Sequence, residues 1–252
     1  MDGPAVLARY DAEIRADPPA EVGALRGWVD GVLRTEGPYN FIGWWAFGPE
    51  RAGEIAAREA AFFAGREVEW KVYSHDGPPG LDAALAAAGF ERDEPETFLV
   101  LDLDARLPPF DPPAGIAVRE VADVAGAADL VAVSEAAFGR SEPWRLDALA
   151  ARLGDPTLAL FVAYDHGAPV SSGRLELAPG KAFAGLYGGG TRPDYQGRGV
   201  YRALVAARAA EARRRGHRYL TVDARETSRP ILQRLGFEPL AQIVAWTLPA
   251  AA

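Results

Sequence analysis

Four closely spaced prolines divide this chain and limit how its two halves can fold. They lie in the segment DARLPPFDPPAG, residues 104–115. Proline cannot continue a helix and donates no hydrogen bond to a sheet, so this segment is typical of an extended, semi-rigid linker. The chain has 252 residues, enough for two small domains. We therefore predict domains at residues 1–103 and 115–252, joined by a linker at 104–114.

The second half shows a mixed order of strands and helices in its apolar periodicity and turn residues. The predicted strands cover residues 116–121, 157–164, 169–177, 181–191, 217–224 and 240–248. The predicted helices cover residues 123–137, 143–153, 199–215 and 229–235. Because hairpins and crossovers both occur in this order, we predict an α/β (α+β) fold with a mixed sheet.

The first half repeats the end of this plan. The runs AALAAAGF at 83–90 and ILQRLGF at 231–237 each end a predicted helix that lies between two strands. The other predictions are strands at 41–47, 67–75 and 97–103, helices at 4–15, 50–64 and 81–90, and either a helix or a hairpin at 21–36. We expect the tryptophans of this half to be core aromatics, namely Trp28, Trp44, Trp45 and Trp70.

Composition excludes several function classes. The net charge of −8 argues against a nucleic-acid partner and weakly favours a cationic or amine ligand. The chain has no cysteine, which rules out thiolate nucleophiles and disulfides, and its three histidines show no spacing typical of a metal site, so we predict no metal. It has no signal-peptide pattern and no apolar run of membrane-spanning length, so we predict no membrane partner and a cytoplasmic location. The sequence does not indicate an oligomeric state.

One loop has the features of a site. TRPDYQGRGVYRAL, residues 191–204, joins the glycine-rich run AGLYGGG to a long predicted helix. A helix N-terminus presents unpaired backbone N–H groups, and glycines at 197 and 199 allow positive φ and close approach of a ligand. Arg198 and Arg202 add positive charge. Local physics therefore predicts either an anion site for a phosphate or pyrophosphate or a plain glycine turn.

The spacing of this loop matches neither the dinucleotide fingerprint G-x-G-x-x-G nor the P-loop. Instead QGRGVY, preceded by TRPDY and followed by a helix, a strand and RPILQRLGF, resembles the GNAT acetyltransferase superfamily and its signature [RQ]-x-x-G-x-[GA]. The matching residues are Gln196, Gly197, Arg198 and Gly199, whereas Tyr201 stands where that family prefers Gly or Ala. The resemblance extends over the element order of residues 116–248 and suggests a tandem arrangement with a degenerate N-terminal half.

The resemblance implies an acetyl-CoA donor. Its pyrophosphate would lie on the loop, and its pantetheine arm would lie between 186–191 and 221–225, where two strands splay apart. The residues expected to bind it are Gly189, Gly190, Thr191, Gln196, Gly197, Arg198, Gly199, Val200, Tyr201, Arg202 and Ser228.

The resemblance also implies roles in catalysis. Backbone N–H groups around 186–190 would polarise the thioester carbonyl. The tyrosine that protonates the thiolate in many members is replaced by Leu232, so Ser228 or Tyr201 is the expected substitute. Candidates for the base are Glu176 and Asp223, and Tyr187 is expected to line the acceptor pocket.

Residues 1–103 carry no such loop. The corresponding run GPERAGE places Glu50 and Glu54 where pyrophosphate would bind, so this half is expected to pack or to shape the substrate cleft without binding cofactor. Three functions stay open: an acetyl-CoA-dependent N-acetyltransferase for a small, cationic amine, a silent acyl-CoA-binding module or regulatory pseudoenzyme, and a peptide-binding interaction protein.

Overall fold

A computed structural model describes residues 1–19, 23–37, 39–141 and 143–250. Its α-helices are α1 Gly3–Tyr10, α2 Ala52–Phe62, α3 Leu81–Ala87, α4 Val124–Phe138, α5 Arg145–Ala150, α6 Val200–Arg214 and α7 Arg229–Arg234. Its strands are β1 Leu25–Val29, β2 Val32–Glu36, β3 Phe41–Trp45, β4 Val68–Tyr73, β5 Glu91–Arg92, β6 Glu96–Asp102, β7 Ile116–Glu120, β8 Leu158–Asp165, β9 Ala168–Leu177, β10 Phe183–Thr191, β11 Tyr219–Ala224 and β12 Glu238–Leu248. No helix within these ranges is long and apolar enough to cross a membrane.

The mixed α/β fold class is confirmed, as is the order of the predicted strands and helices. The segment 21–36, predicted as either a helix or a hairpin, contains the hairpin of β1 and β2. These strands pair antiparallel, with Leu25 opposite Glu36 and Val29 opposite Val32. Its turn residues Asp30 and Gly31 both have positive φ, which a two-residue hairpin turn requires and a right-handed helix does not allow. Residues 21 and 22 lie outside the described part.

The contacts divide the chain into two compact units. Unit 1 contains Met1–Phe98, Ala224–Glu226 and the chain from Leu240 onward, and unit 2 contains Leu99–Asp223 and Thr227–Pro239. The last strand belongs to unit 1 from Leu240 onward, because β12 pairs antiparallel with β4. Ile243 lies opposite Tyr73, and Leu248 lies opposite Val68. The predicted domain limits, 1–103 and 115–252, and the linker at 104–114 stay predictions.

Aromatic side chains fill the core of unit 1. Trp70 on β4 is fully buried, and its ring makes edge contacts with Trp45, Phe47 and Phe90 at centroid distances of 5.5, 6.4 and 6.1 Å. Trp45 and Trp70 are core residues as expected. The same expectation for Trp28 is wrong, because β1 is an exposed strand and leaves that side chain 52% exposed.

A buried arginine fixes the N-terminal segment within unit 1. Arg15 forms ion pairs of 2.6 Å with Asp76 and 2.8 Å with Asp11, and its side chain is 4% exposed. Its guanidinium also lies 4.0 Å from the centre of the Tyr73 ring. Burial alone lowers the pKa of Arg15, but the hydrogen bond and charge of Asp76 outweigh it and raise the pKa above its ordinary value. Asp76 is therefore the main stabilising partner of this cation.

Replacing Asp76 by Asn tests this dependence. The variant leaves the Arg15 charge buried with one carboxylate removed, so we expect the free energy of unfolding to fall by about 3 kcal/mol in urea denaturation. Asp30→Asn is the matched control, since Asp30 pairs with Arg51 and Arg58 at an exposed site and the change there should have little effect. Equal destabilisation by the two variants would contradict the assignment.

In unit 2, strands β7, β8, β9 and β10 pair antiparallel in sequence order, and β10 pairs in parallel with β11. Side chains alternate between the two faces of these strands. Leu160 and Val162 of β8 pack with Leu130 of α4, whereas Ala163 packs with Val200, the first residue of α6. The helices α4 and α6 therefore pack on opposite faces of this sheet, and both reach β10.

His217 follows the end of α6 and is a buried titratable group of unit 2. Its side chain is enclosed, and its Nδ1 lies 3.2 Å from the carbonyl oxygen of Lys181. Burial lowers the pKa of His217, with the charge of Arg215 adding to the shift and the Lys181 carbonyl opposing it. His217 is therefore protonated at a lower pH in the folded chain than in the unfolded chain.

The sign of this shift predicts a pH dependence. The contribution of His217 to stability is complete above its unfolded pKa of about 6.5 and is lost as the pH falls from there towards the lower folded pKa. We expect the wild type to lose more unfolding free energy between about pH 7.5 and about pH 5.5 than His217→Asn, whose amide can still reach Lys181. Urea titrations at the two pH values measure the difference, and parallel losses would contradict it.

Candidate functional site

Strand β10 is irregular where the glycine-rich run occurs. It pairs with β9 through Tyr187 opposite Arg174 and then through Gly190 opposite Ser172, so one extra residue forms a β-bulge between them. Gly188 in this bulge has φ +56°, a conformation that favours glycine. The pairing of β10 with β11 begins with Phe183 opposite Tyr219 and ends with Gly185 opposite Thr221, although β10 continues to Thr191. The glycines thus lie at the point where β10 leaves its parallel neighbour.

The loop after β10 leads to the N-terminus of α6. Gly197 and Gly199 have φ values of +75° and +84°, and Gly199 is the N-cap. A Cβ at Gly199 would stand 3.0 Å from Nη2 of Arg202 and 3.5 Å from Cγ of Pro113. The left-handed conformation favours glycine here, and the N–H groups of the first helical turn have no partner within the helix.

Side chains around this loop hold its shape. The Gln196 amide donates to the carbonyl oxygen of Thr191 at 3.3 Å, and Thr191 is buried with its hydroxyl 2.8 Å from that of Ser171. The Tyr195 hydroxyl donates to Asp165 at 2.9 Å, and the Arg198 guanidinium lies 4.8 Å from the centre of the Tyr195 ring. Arg198 and Arg202 are exposed beside the glycines, so positive charge surrounds the helix N-terminus.

Tyr201 turns away from the loop towards the sheet. Its Cε2 lies 3.1 Å and its hydroxyl 3.6 Å from the position a Cβ would have at Gly189. Because residue 189 is glycine, there is room for the bulky side chain of Tyr201, which stands where the GNAT family prefers a small residue. Burial raises the pKa of Tyr201, against the opposing charge of Arg208, so its hydroxyl is protonated at neutral pH.

Arg208, which belongs to none of the sequence motifs above, is fully buried beneath the same bulge. Its Nη1 donates to the carbonyl oxygen of Arg174 at 3.0 Å, while its Nη2 finds no hydrogen-bond partner among the described residues. The same guanidinium fills the space that a Cβ would take at Gly173. Burial lowers the pKa of Arg208 to about 10, so it stays charged. Its one signal in the sequence is an arginine four residues after Leu204 on the apolar face of α6.

The opposite face of β10 carries other candidates. Tyr187 is 37% exposed and lies across from Arg174, whose Nη2 is 3.7 Å from Oε1 of Glu176. Glu176 lies opposite Gly185 and keeps a partly exposed carboxylate. The structure therefore brings Tyr187 and Glu176 to one face of the strand and Tyr201 to the other.

The last candidates begin α7. Ser228 is at the N-cap position, where its carbonyl oxygen accepts hydrogen bonds from the N–H groups of Ile231 and Leu232 at 3.0 and 3.1 Å. Leu232, at the position of the tyrosine expected from the resemblance, is fully buried. Asp223 lies at the end of β11, partly buried.

Comparison with known proteins agrees with this geometry. Residues 125–237 match the sequence profile of the Acetyltransferase (GNAT) family. A search of curated protein sequences returned no match.

Solved structures extend the likeness over the whole chain. A GCN5-related N-acetyltransferase from Kribbella flavida aligns over 99% of this chain and 95% of its own, with TM-score 0.70 and 16% identity. A tandem GNAT protein from the clavulanic acid biosynthesis pathway aligns over 99% and 94%, with TM-score 0.63 and 22% identity. A GCN5-related N-acetyltransferase from Sphaerobacter thermophilus aligns over 99% and 92%, with TM-score 0.64 and 19% identity.

At these identities the structural likeness shows the fold alone, and the match to the family profile covers residues 125–237. Bulged strand, glycine loop and helix N-terminus all lie inside the matched residues. The chain is therefore similar to the GNAT acetyltransferase family over residues 125–237, and over its whole length it shares the fold of these solved structures.

Proposed function

We propose that the chain transfers an acetyl group from acetyl-CoA to the amine of a small molecule, in a ternary complex. The observation that carries the proposal is the accessible N-terminus of α6, where Gly197 and Gly199 adopt positive φ beside two exposed arginines. Such an end suits the pyrophosphate of the donor, whose charge it complements. The match of residues 125–237 to the GNAT acetyltransferase family supports acyl transfer as the reaction class.

The residues of the loop fit this donor. Backbone N–H groups from Gly197 to Arg202 would hold the pyrophosphate, and Arg198 and Arg202 would add charge. The point where β10 leaves β11 would receive the pantetheine arm, beside Gly189, Gly190 and Thr191. Acetyl-CoA supplies an activated thioester, which an amine attacks at the carbonyl carbon.

The chain's own groups then have three tasks. Backbone N–H groups at the β10 bulge would donate to the carbonyl oxygen as negative charge develops on it. Glu176 would take the proton of the attacking amine, directly or through water. The hydroxyl of Tyr201 would protonate the departing thiolate, since it lies against Gly189 and its raised pKa keeps it protonated.

Ser228 is the competing acid, and binding without transfer is the competing function. The second possibility is favoured by one observation, the complete burial of Leu232 where the resembling family has its tyrosine. A silent module would bind acetyl-CoA yet release no CoA with any amine, so turnover separates the two functions.

Two variants at Gly199 test the anion site by calorimetric titration with acetyl-CoA. Asn and Asp have nearly the same shape, and both tolerate left-handed backbone better than most residues, so they differ mainly in charge. We expect one site per chain in the wild type, and Gly199→Asp to weaken binding at least about tenfold more than Gly199→Asn. Equal losses of acetyl-CoA affinity in the two variants would show that only side-chain size matters at position 199. A second binding site per chain would contradict the prediction that residues 1–103 bind no cofactor.

Substitution of the two candidate acids tests the transfer step. We expect Tyr201→Phe to lower kcat by about 100-fold with little change in acetyl-CoA affinity, because it removes one proton donor and leaves the loop intact. Release of CoA thiol in the presence of an amine panel measures kcat. A larger loss in Ser228→Ala than in Tyr201→Phe would assign the acid to Ser228 instead.

A further inference from the structure

Two arginines converge on the bulge of β10, on the face away from α6. At Gly188, the position of a Cβ would be 3.5 Å from Nη2 of Arg145 and 3.9 Å from Nε of Arg174. Arg145 is the first residue of α5, and Arg174 is on β9, so two elements bring their charges within 4 Å of one point. Positive charge from two separate elements is therefore concentrated beside Gly188, which favours an anion there.

One of these arginines has an unused donor. The Nε of Arg174 is buried and has no hydrogen-bond partner among the described residues. Its Nη2 pairs with Glu176 at 3.7 Å, a single contact with a carboxylate that is itself 41% exposed. A buried N–H without an acceptor costs stability, so a site that supplies an acceptor when ligand binds is favoured.

Exposed aromatic residues adjoin Gly188, Gly190 and Arg145. Phe138, at the end of α4, is 49% exposed, and its ring carbon Cε2 lies 3.0 Å from the position of a Cβ at Gly190. Tyr187, next to Gly188, is 37% exposed, and Trp144, next to Arg145, is 59% exposed. Exposed aromatics beside convergent polar groups are typical of a small-molecule site.

We propose that Arg145 and Arg174 bind a carboxylate of the acceptor, so that the substrate is an amine that also carries a carboxylate, of the amino-acid class. This inference rests on the proposed acetyl transfer. A guanidinium matches a carboxylate with two parallel hydrogen bonds, which a lysine cannot reproduce. The site refines the expectation of a cationic acceptor, because an amino acid brings its ammonium together with an anion.

The experiment compares L-amino acids with their carboxamides, which keep the amine and the side chain but lose the negative charge. With saturating acetyl-CoA, release of CoA thiol gives kcat/KM for each member of a pair such as phenylalanine and phenylalaninamide. We expect the carboxylate member to be preferred by about tenfold or more in the wild type. Arg174→Gln and Arg145→Gln should remove this preference, mainly through a higher KM for the carboxylate member of each pair.

Two further variants control for charge and for hydrogen-bond geometry. Arg213→Gln removes one exposed charge from the last turn of α6 and should leave the preference intact. Arg174→Lys keeps the charge and loses the planar pair of donors, so it should recover only part of the preference. Thermal melting checks that each variant is folded.

The outcomes separate the two proposals. If carboxamides are acetylated as efficiently as amino acids, the carboxylate site is overturned and acetyl transfer still stands. The same conclusion follows if the double variant Arg145→Gln, Arg174→Gln keeps the preference for carboxylates. If no amine is acetylated, the proposed function fails, and calorimetric titration of the same pairs, with and without CoA, decides the carboxylate site alone. Tighter binding of the carboxylates that the arginine variants abolish would support it, and equal binding would overturn it.

Discussion

The guanidinium of Arg208 is the constraint on which the geometry of unit 2 depends. It is fully buried between α6 and the sheet, and it binds the carbonyl oxygen of Arg174 at 3.0 Å. Its bulk requires glycine at 173, and together with Tyr201 it occupies the space beside Gly189. Among the residues that the structure describes it has no carboxylate partner, and such a buried cation is costly, so the elements around it must stay in place to supply its acceptors. It thereby fixes the backbone of the strand next to the bulge.

This fixed backbone gives β10 two different faces. On the side of α6, Gly189 meets Tyr201 and the buried arginine, and the chain continues to the glycine loop. On the other side, Gly188 lies near Arg145 and Arg174. The proposed donor and acceptor groups therefore meet along one short bulged stretch, which a regular strand with side chains at 188–190 would not leave accessible.

The corresponding helix start in unit 1 carries carboxylates. Gly48 precedes the helical turn Pro49–Arg51 and α2, but a Cβ at Gly48 would meet the carboxylate of Glu50. Arg51 is engaged by Asp30 and Glu54, so positive charge at this helix start is already neutralised. A phosphate would meet carboxylates there, which supports the expectation that this half binds no cofactor.

Sequence alone determined the local features, because each depends on residues close together in the chain. Gly197 and Gly199 before an apolar-periodic helix specify the loop and the start of α6, and the run at 231–237 specifies a helix closed by glycine. Tertiary structure decided what depends on distant residues. Packing across the sheet turned Tyr201 towards Gly189, buried Arg208 and placed Arg145 near Arg174, and strand pairing put β12 beside β4 in unit 1. No spacing in the sequence encodes these contacts, because side chains from separate elements meet only once the sheet has formed.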